Sequence, residues 1–245
     1  MDQITSIFGK SLETVIGNCS EHGEYKNVRV VGTDIIQCPH CTQIKMSREE
    51  IEKAQKKRLQ VLFECCDIPE RFRNAGFKNF IAQTNEQKHA VELCQAYIRS
   101  FSISWKPVHF VGTFGTGKTH LACACGNNLI SKGVSVKYTT MHSMLSDIKK
   151  AYSTDGLSEV GQIAKYVDGF DVLILDEVDV TRGTDNDMSL IFAVVNGRYN
   201  AVKPIITISN QPIKKLVEFL GARTIDRLNE NSVVVACEWE SYRSK

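Results

Sequence analysis

The chain has 245 residues, a hydrophobic share of 42% and a formal net charge of +2, so it can bury one large core and carry a small accessory module. No apolar run approaches the roughly 20 residues that a membrane-spanning helix needs, and the first residues lack the basic and apolar regions of a signal peptide, which predicts a cytoplasmic protein. The small net charge neither requires nor excludes a nucleic-acid partner, and nine unevenly grouped cysteines argue against a disulfide framework.

Cysteine and histidine residues in the first 46 positions are spaced like the ligands of a structural zinc ion. Cys19 and His22 form one pair with two residues between them, and Cys38 and Cys41 form a second pair after fifteen further residues. Zinc takes four such ligands in a tetrahedron, and a segment this short would gain its stability from the metal. We therefore predict zinc binding by these four side chains. His40 is the alternative to His22, and free thiols without metal are the other interpretation.

A helical connector is predicted over residues 47–66. Ser47 is followed three positions later by Glu50, which is the spacing of a capping box, and Ile51, Ala54 and Leu59 recur among many charges. The chain is thereby divided into a zinc module at 1–46, this linker, and a larger domain at 67–245.

Apolar runs alternate with longer helix-period segments in the larger domain. Short runs rich in β-branched residues predict strands, and their alternation with helices predicts a parallel sheet that lies between helices. Five strands are predicted, at Val108–Val111, Val134–Tyr138, Val172–Leu175, Ile205–Ile208 and Val233–Ala236.

A glycine-rich loop joins the first of these strands to a helical stretch that begins at His120. Gly112-x4-Gly117-Lys118-Thr119 is the spacing of a P-loop, in which backbone N–H groups wrap phosphates, the lysine reaches the β- and γ-oxygens and the hydroxyl ligates Mg²⁺. The flanking strand and helix disfavour a chance glycine-rich turn. The predicted nucleotide contacts are Gly112, Thr113, Phe114, Gly115, Thr116, Gly117, Lys118, Thr119 and His120.

Two carboxylates follow the third predicted strand, which is a continuous apolar run from Val172 to Leu175. Ligands bind at the carboxyl ends of parallel strands, so Asp176 is expected to hold Mg²⁺ together with Thr119. Glu177 is expected to act as the general base that polarises the attacking water. The alternative is that the two carboxylates only cap a following helix.

A polar pair, Ser209-Asn210, follows the fourth predicted strand. Asn210 is the better candidate to reach the γ-phosphate or the attacking water from this neighbouring strand. Asn is also common wherever a strand stops, so a turn residue before Gln211-Pro212 is the alternative interpretation.

These motifs together resemble the DnaC family of AAA+ helicase loaders over residues 67–245. The resemblance is carried by the P-loop, Asp176-Glu177, Ser209-Asn210, the segment Gly221-Ala-Arg223-Thr-Ile-Asp-Arg227-Leu and the terminal Trp239-Glu-Ser-Tyr-Arg243. The segment Ile68-Pro-Glu-Arg-Phe-Arg73 is also similar to the one that precedes the ATPase core in these loaders and in the related IstB transposition ATPases. The resemblance implies an AAA+ P-loop ATPase fold that binds and hydrolyses ATP.

The resemblance also implies roles for single residues. Asn210 becomes the sensor 1 residue, Arg243 the sensor 2 arginine, and Arg227 the arginine finger that acts on the nucleotide of a neighbouring subunit, with Arg223 as the competing finger. A finger supplied in trans makes turnover depend on self-association in the ATP-bound state. For each arginine, a surface salt bridge is the alternative.

A DNA contact is implied in the same way. The segment from Met141 to Tyr152 occupies the place of the extra helix that contacts DNA in initiators and loaders. Lys149, Lys150 and Tyr152 are the candidates for gripping single-stranded DNA by phosphate attraction and stacking. A solvated helix face is the alternative.

The zinc-containing front end is similar to that of DnaI-type loaders, whose module binds the helicase. The leading interpretation is therefore an ATP-dependent loader that delivers a hexameric replicative helicase to single-stranded DNA. An IstB-like transposition ATPase on duplex DNA and a nucleotide-binding adaptor that does not hydrolyse are the alternatives. A zinc-dependent DNA reader is disfavoured because residues 19–41 contain only Lys26 and Arg29 as cations.

Overall fold

A computed structural model of the chain describes residues 12–31, 37–101, 106–151, 158–180 and 184–244. The chain divides into two compact units, Met1–Arg58 and Leu59–Lys245. The division falls inside a helix, whereas the sequence predicts a zinc module at 1–46 and a separate linker at 47–66. The predicted boundaries at residues 46 and 66 stay a prediction.

The first unit contains a hairpin and the start of a long helix. Strand β1 (Leu12–Cys19) pairs antiparallel with β2 (Gly23–Val30), with Cys19 opposite Gly23. Helix α1 (Pro39–Cys65) begins eight residues before the predicted start at Ser47. Pro39 explains the difference, because proline is favoured in the first turn of a helix, where its missing N–H has no partner to lose. Among the described residues, every helix is too short or too polar to cross a bilayer.

The second unit is built on a parallel sheet, as the alternating pattern predicts. Its strands are β3 (Val108–Gly112), β4 (Val136–Thr140), β5 (Val172–Asp176), β6 (Ile205–Ile208) and β7 (Val233–Cys237). Within the described residues, the sheet has these five strands in the order β4-β5-β6-β3-β7, and all the pairs are parallel. The strand that precedes the P-loop and the carboxylate strand are therefore separated only by β6.

Helices cover both faces of this sheet. They are α2 (Asn85–Ser100), α3 (Lys118–Ser131), α4 (Met141–Lys150), α5 (Glu159–Asp168), α6 (Asp185–Asn200), α7 (Ile213–Leu220) and α8 (Ala222–Asn229). Apolar residues of α2 and α3 share one buried cluster with Ile174 of β5, whereas α4 to α8 share a second cluster with Leu173 and Leu175. Successive strand residues point to opposite faces, so the continuous apolar run of β5 serves two cores, and the predicted layering is confirmed.

Two buried polar side chains connect the sheet to the segments that surround it. The fully buried guanidinium of Arg198 donates to five backbone carbonyls, those of Tyr166, Val167, Phe170, Asp171 and Pro204, and burial lowers its pKa to about 10. His109 on β3 places Nε2 2.9 Å from the Leu228 carbonyl and Nδ1 2.6 Å from the Thr207 hydroxyl. Because a carbonyl can only accept, Nε2 carries the proton, and burial lowers the pKa of His109 and keeps the ring neutral.

Candidate functional site

The P-loop lies between the end of β3 and the first turn of α3. Gly112, Gly115 and Gly117 all have positive φ angles, of +136°, +74° and +88°, a region in which residues with a Cβ are strained. The ammonium of Lys118 donates to the carbonyls of Gly112 at 3.0 Å and Thr113 at 2.6 Å. It therefore lies inside the loop, and burial there lowers the pKa of Lys118.

The glycines of the loop are also required by what packs on it. A Cβ at Gly112 would lie 2.1 Å from the carbonyl oxygen of Cys237, and one at Gly115 would lie 2.0 Å from Ser241 Oγ. A Cβ at Gly117 would lie 2.7 Å from the ring of Phe80. Neighbouring segments of the chain therefore fill part of the space that the missing side chains leave open.

Asp176 joins the two halves of the site. Its Oδ2 accepts hydrogen bonds from the Thr119 hydroxyl at 3.0 Å and the Tyr138 hydroxyl at 2.7 Å, and its Oδ1 accepts one from the Glu177 N–H at 2.7 Å. Thr119 belongs to α3 and Tyr138 to β4, so a helix that packs on the sheet and the strand next to β5 both fix the carboxylate. Burial, followed by the negative charge of Asp176, raises the pKa of Tyr138, which keeps its hydroxyl a donor.

Glu177 and Asn210 stand beside this carboxylate at the ends of adjacent strands. Glu177 has a φ of +54°, which is uncommon for a residue with a side chain. The N–H of Asn210 lies 3.4 Å from Asp179 Oδ1. The residue after Glu177 is bound to the end of β6, since the Val178 N–H donates to the Ile208 carbonyl at 3.2 Å. The loops after β5 and β6 are thus held together at the cavity.

A cavity of about 470 Å³ collects most of the residues predicted for the nucleotide site. From the predicted set it is lined by Phe114, Gly115, Gly117, Lys118, Thr119, His120, Asp176, Glu177, Asn210 and Arg243. The lining residues that had no role in the prediction are Arg71, Phe72, Asn79, Phe80, Ile81, Ile208 and Tyr242. Of the remaining predicted contacts, Gly112 and Thr113 bind the Lys118 ammonium, and Thr116 donates its hydroxyl to the Thr113 carbonyl at 2.9 Å.

The two candidate finger arginines do not line this cavity. Arg227 on α8 stacks over the Tyr199 ring, with its guanidinium carbon 4.6 Å from the ring centroid, and lies 3.7 Å from an Asp226 carboxylate oxygen. Arg223 lines a separate hollow between α6 and the α7–α8 turn. Within one chain, neither side chain is brought to the P-loop.

Of the three predicted DNA contacts, the structure describes two. Lys149 at the end of α4 forms an ion pair with Asp187, whose side chain is only 5% exposed. Lys150 lies beside it on the exposed side of the helix. Tyr152 lies outside the described residues. Part of the charge proposed for DNA is therefore engaged within the fold.

The four predicted zinc ligands lie together in the first unit. The ligand atoms of Cys19, His22, Cys38 and Cys41 all lie within 4.8 Å of one another. His22 Nδ1 is 3.6, 3.8 and 3.3 Å from the sulfurs of Cys19, Cys38 and Cys41, and the Cys19 and Cys41 sulfurs are 3.6 Å apart. Zinc–sulfur and zinc–nitrogen bonds of about 2.3 and 2.0 Å at a tetrahedral angle place ligand atoms about 3.5 to 3.8 Å apart, so the group fits zinc.

His40, the alternative ligand, is not part of this group. Its ring stacks on that of His22, with the ring centroids 5.5 Å apart.

Hydrogen bonds, first from the Glu21 N–H and then from the His22 side chain, lower the pKa of Cys19 to about 6, which favours the thiolate that binds metals.

Sequence reasoning gave no role to the hydroxyl of Tyr138 or to the indole of Trp239. Trp239 Nε1–H donates to the Thr116 carbonyl at 2.9 Å, and the Tyr242 N–H donates to the Gly115 carbonyl at 2.9 Å. Trp239 and Tyr242 belong to the terminal motif that carried the family resemblance, which was the available signal. Tyr138 was interpreted only as the end of a strand, and nothing in its local sequence indicates its partner.

Comparisons with known proteins show which family the chain matches. Residues 42–245 match the family model described as IstB-like ATP binding protein. The replicative helicase loader DnaC of Escherichia coli K12 is 29% identical over 189 residues, which cover 77% of each chain. A crystal structure of the DnaC helicase loader superposes with a TM-score of 0.62 at 22% identity, covering 69% of this chain and 100% of that one.

A crystal structure of DnaI gives a TM-score of 0.60 at 16% identity, covering 71% of this chain and 93% of that one. At these identities the structural likenesses show the fold alone. The fold is that of the AAA+ ATPases, as the resemblance implied.

Gly112→Ala should destabilise the second unit more than Gly133→Ala does. Both glycines have positive φ, but a Cβ at Gly133 would meet nothing within 4 Å, whereas one at Gly112 would meet the backbone of Cys237. Backbone strain should cost about 1 kcal/mol in each variant, and overpacking should add about 2 kcal/mol at Gly112. Urea unfolding followed by tryptophan fluorescence measures this loss of stability, because Trp239 contacts the P-loop in the second unit. Equal losses of unfolding free energy in the two variants would contradict the close contact between Gly112 and the Cys237 backbone.

Proposed function

Because the chain belongs to the IstB-like ATP-binding family, whose model matches residues 42–245, we propose that it hydrolyses ATP and uses the nucleotide cycle to load a hexameric replicative helicase onto single-stranded DNA. The observation that carries the proposal is the hydrogen bond from Thr119 to Asp176, which joins the P-loop helix to the end of the carboxylate strand. The relatives that are named replicative helicase loaders, at 29% identity, supply the proposed partner.

The cavity offers the two kinds of surface that a purine nucleotide requires. Lys118, Thr119 and Asp176 make one part polar and charged, and the rings of Phe80 and Tyr242 line another part. Its volume of about 470 Å³ lies within the range of small-ligand sites. We propose that the P-loop amides and Lys118 bind the phosphates, that Thr119 and Asp176 hold Mg²⁺, and that the aromatic side receives the base.

The proposed reaction assigns a proton transfer to Glu177. Its carboxylate lines the cavity next to Asp176 and accepts the proton of the water that attacks the γ-phosphate, while Asn210 orients that water from the adjacent strand. Mg²⁺, when bound, neutralises negative charge on the phosphate oxygens. Lys118 and Arg243 add positive charge from this chain at the same cavity, so the residues present suit phosphoryl transfer to water.

Assembly of several copies is proposed to complete the site. Arg223 and Arg227 lie away from the cavity of their own chain, so a finger from either position is supplied to a neighbouring subunit. A guanidinium on the transferring phosphoryl group accelerates hydrolysis strongly. Turnover is therefore weak in the isolated chain and rises with self-association in the ATP-bound state. Arg227 is the first candidate and Arg223 the second.

The zinc module is proposed to bind the helicase. Three sulfurs and one imidazole nitrogen at tetrahedral spacing fill all four positions of a zinc ion, which is typical of a structural rather than a catalytic site. A closed site stabilises a surface, and the module lies outside the unit that holds the P-loop. We propose that this stabilised surface receives the helicase.

Single-stranded DNA is proposed to contact the end of α4. Lys150 is exposed there, and Tyr152 follows two positions later in the sequence. Lys149 forms an ion pair with Asp187, which reduces its contribution to phosphate attraction.

Purified protein should contain one zinc ion per chain, and Cys38→Ser should lose it. Cys38 is buried and its sulfur lies 3.8 Å from His22 Nδ1, so its loss opens the tetrahedron. The matched control is Cys65→Ser, because Cys65 is an exposed free cysteine outside the ligand group. Zinc per chain is measured by plasma mass spectrometry. Full zinc in Cys38→Ser, or none in the wild type, would contradict the assignment.

The loader function is tested by mixing the protein with the replicative helicase of the same organism and measuring the molar mass of the species that forms. Size-exclusion chromatography with light scattering in the presence of ATP should show a stoichiometric complex. The Cys38→Ser/Cys41→Ser variant should lose the complex, whereas Cys65→Ser should keep it.

The absence of a complex with any nucleotide would overturn the loader proposal. Filaments on duplex DNA in the same samples would then support the alternative of an IstB-like transposition ATPase.

A further inference from the structure

The last described residues of the chain lie against the P-loop. We call residues 238–244 the C-terminal tail. Strand β7 ends at Cys237, which pairs with Gly112 at the start of the P-loop, so the tail begins beside the loop. The Trp239 indole N–H then donates to the Thr116 carbonyl, and the Tyr242 N–H donates to the Gly115 carbonyl, each at 2.9 Å. The tail thus binds two consecutive carbonyls of the loop.

Binding these carbonyls also orients the amides that follow them. A trans peptide is planar, and its C=O and N–H point in opposite directions. No cis peptide occurs among the described residues. Since the carbonyls of Gly115 and Thr116 are held toward the tail, the N–H groups of Thr116 and Gly117 are held away from it. A P-loop works only when successive N–H groups point together at the phosphate.

Side-chain packing holds the tail in this position. Ser241 fills the space in front of Gly115, and the buried ring of Phe80 fills the space in front of Gly117. Phe80 also packs edge-on against Trp239 and Tyr242, with ring centroids 6.5 and 5.8 Å apart. The Tyr242 hydroxyl donates a hydrogen bond to the Ile81 carbonyl at 2.6 Å. This packing fixes the position of the Trp239 indole N–H independently of the loop.

We propose that Trp239 is a positioning residue for phosphate binding: its indole N–H fixes the 116–117 peptide so that the Gly117 N–H faces the phosphate position. The proposal rests on the proposed binding of ATP by this loop. Trp239 acts through the backbone and does not contact the nucleotide. The contribution of Trp239 to binding affinity therefore depends on the phosphate groups of the ligand and not on the base.

Trp239→Phe tests this role, because phenylalanine keeps an aromatic ring against Phe80 and removes the N–H donor. Loss of one net hydrogen bond predicts that the affinity for inorganic pyrophosphate and for Mg-ADP falls about 5-fold. The affinity for adenosine, which carries no phosphate, should stay unchanged. Isothermal titration calorimetry is suitable, since its signal does not depend on indole fluorescence. Thermal melting of each variant shows that it is folded.

Glu240→Asp is the matched control, because Glu240 is exposed on the same tail and the substitution keeps its charge. It should leave all three affinities unchanged. Unchanged pyrophosphate and Mg-ADP binding in Trp239→Phe would overturn the proposal, and so would an equal loss for adenosine. Wild-type protein that binds neither pyrophosphate nor Mg-ADP would remove the nucleotide proposal and this one with it. Wild-type binding that Trp239→Phe leaves intact would remove this one alone.

Discussion

The carboxylate of Asp176 is the point on which the site depends. It accepts hydrogen bonds from the Thr119 hydroxyl, the Tyr138 hydroxyl and the Glu177 N–H, so the helix after the P-loop, the neighbouring strand and the loop that carries Glu177 meet at one side chain. This meeting requires parallel strands whose carboxyl ends lie at the same edge, in the order β4-β5-β6-β3. The two apolar clusters on either face of β5 stabilise that order.

The P-loop is constrained from its other side by the end of the chain. Its first glycine lies against the Cys237 carbonyl, and its next two lie against Ser241 and Phe80. The three positive φ angles are therefore required by the fold as well as by the phosphates that the loop is proposed to bind. A loop held in this way does not have to become ordered when a ligand arrives, which lowers the entropic cost of binding. The C-terminal tail thus belongs to the site, although it contributes only Tyr242 and Arg243 to the lining of the cavity.

Features that arise from local sequence could be predicted, and features that arise from distant contacts could not. The five strands follow from short apolar runs, the P-loop from its glycine spacing, and the Cys19/His22 and Cys38/Cys41 pairs from intervals that suit a metal. The helix begins at Pro39 and not at the predicted Ser47, because proline in a first turn and the capping pattern at Ser47 are equally local signals that compete. Tyr138 lies 38 residues from Asp176, and Trp239 donates to a carbonyl 123 residues away. No short sequence pattern indicates contacts between residues that lie so far apart in the chain. The role of Arg227 depends on a second subunit, so the fold of one chain leaves it a prediction.

Hydrolysis of ATP in this cavity is proposed to depend on Glu177 as the base. The most direct test of this dependence compares ATP turnover and ATP affinity in the wild type and in Glu177→Gln, which keeps the shape of the side chain but cannot accept the proton. Wild-type protein should turn over ATP in the presence of Mg²⁺. Glu177→Gln should bind ATP with an affinity within about 2-fold of wild type, and its turnover should fall about 100-fold, the lower end of what a general base contributes. Unchanged turnover in Glu177→Gln would contradict the account.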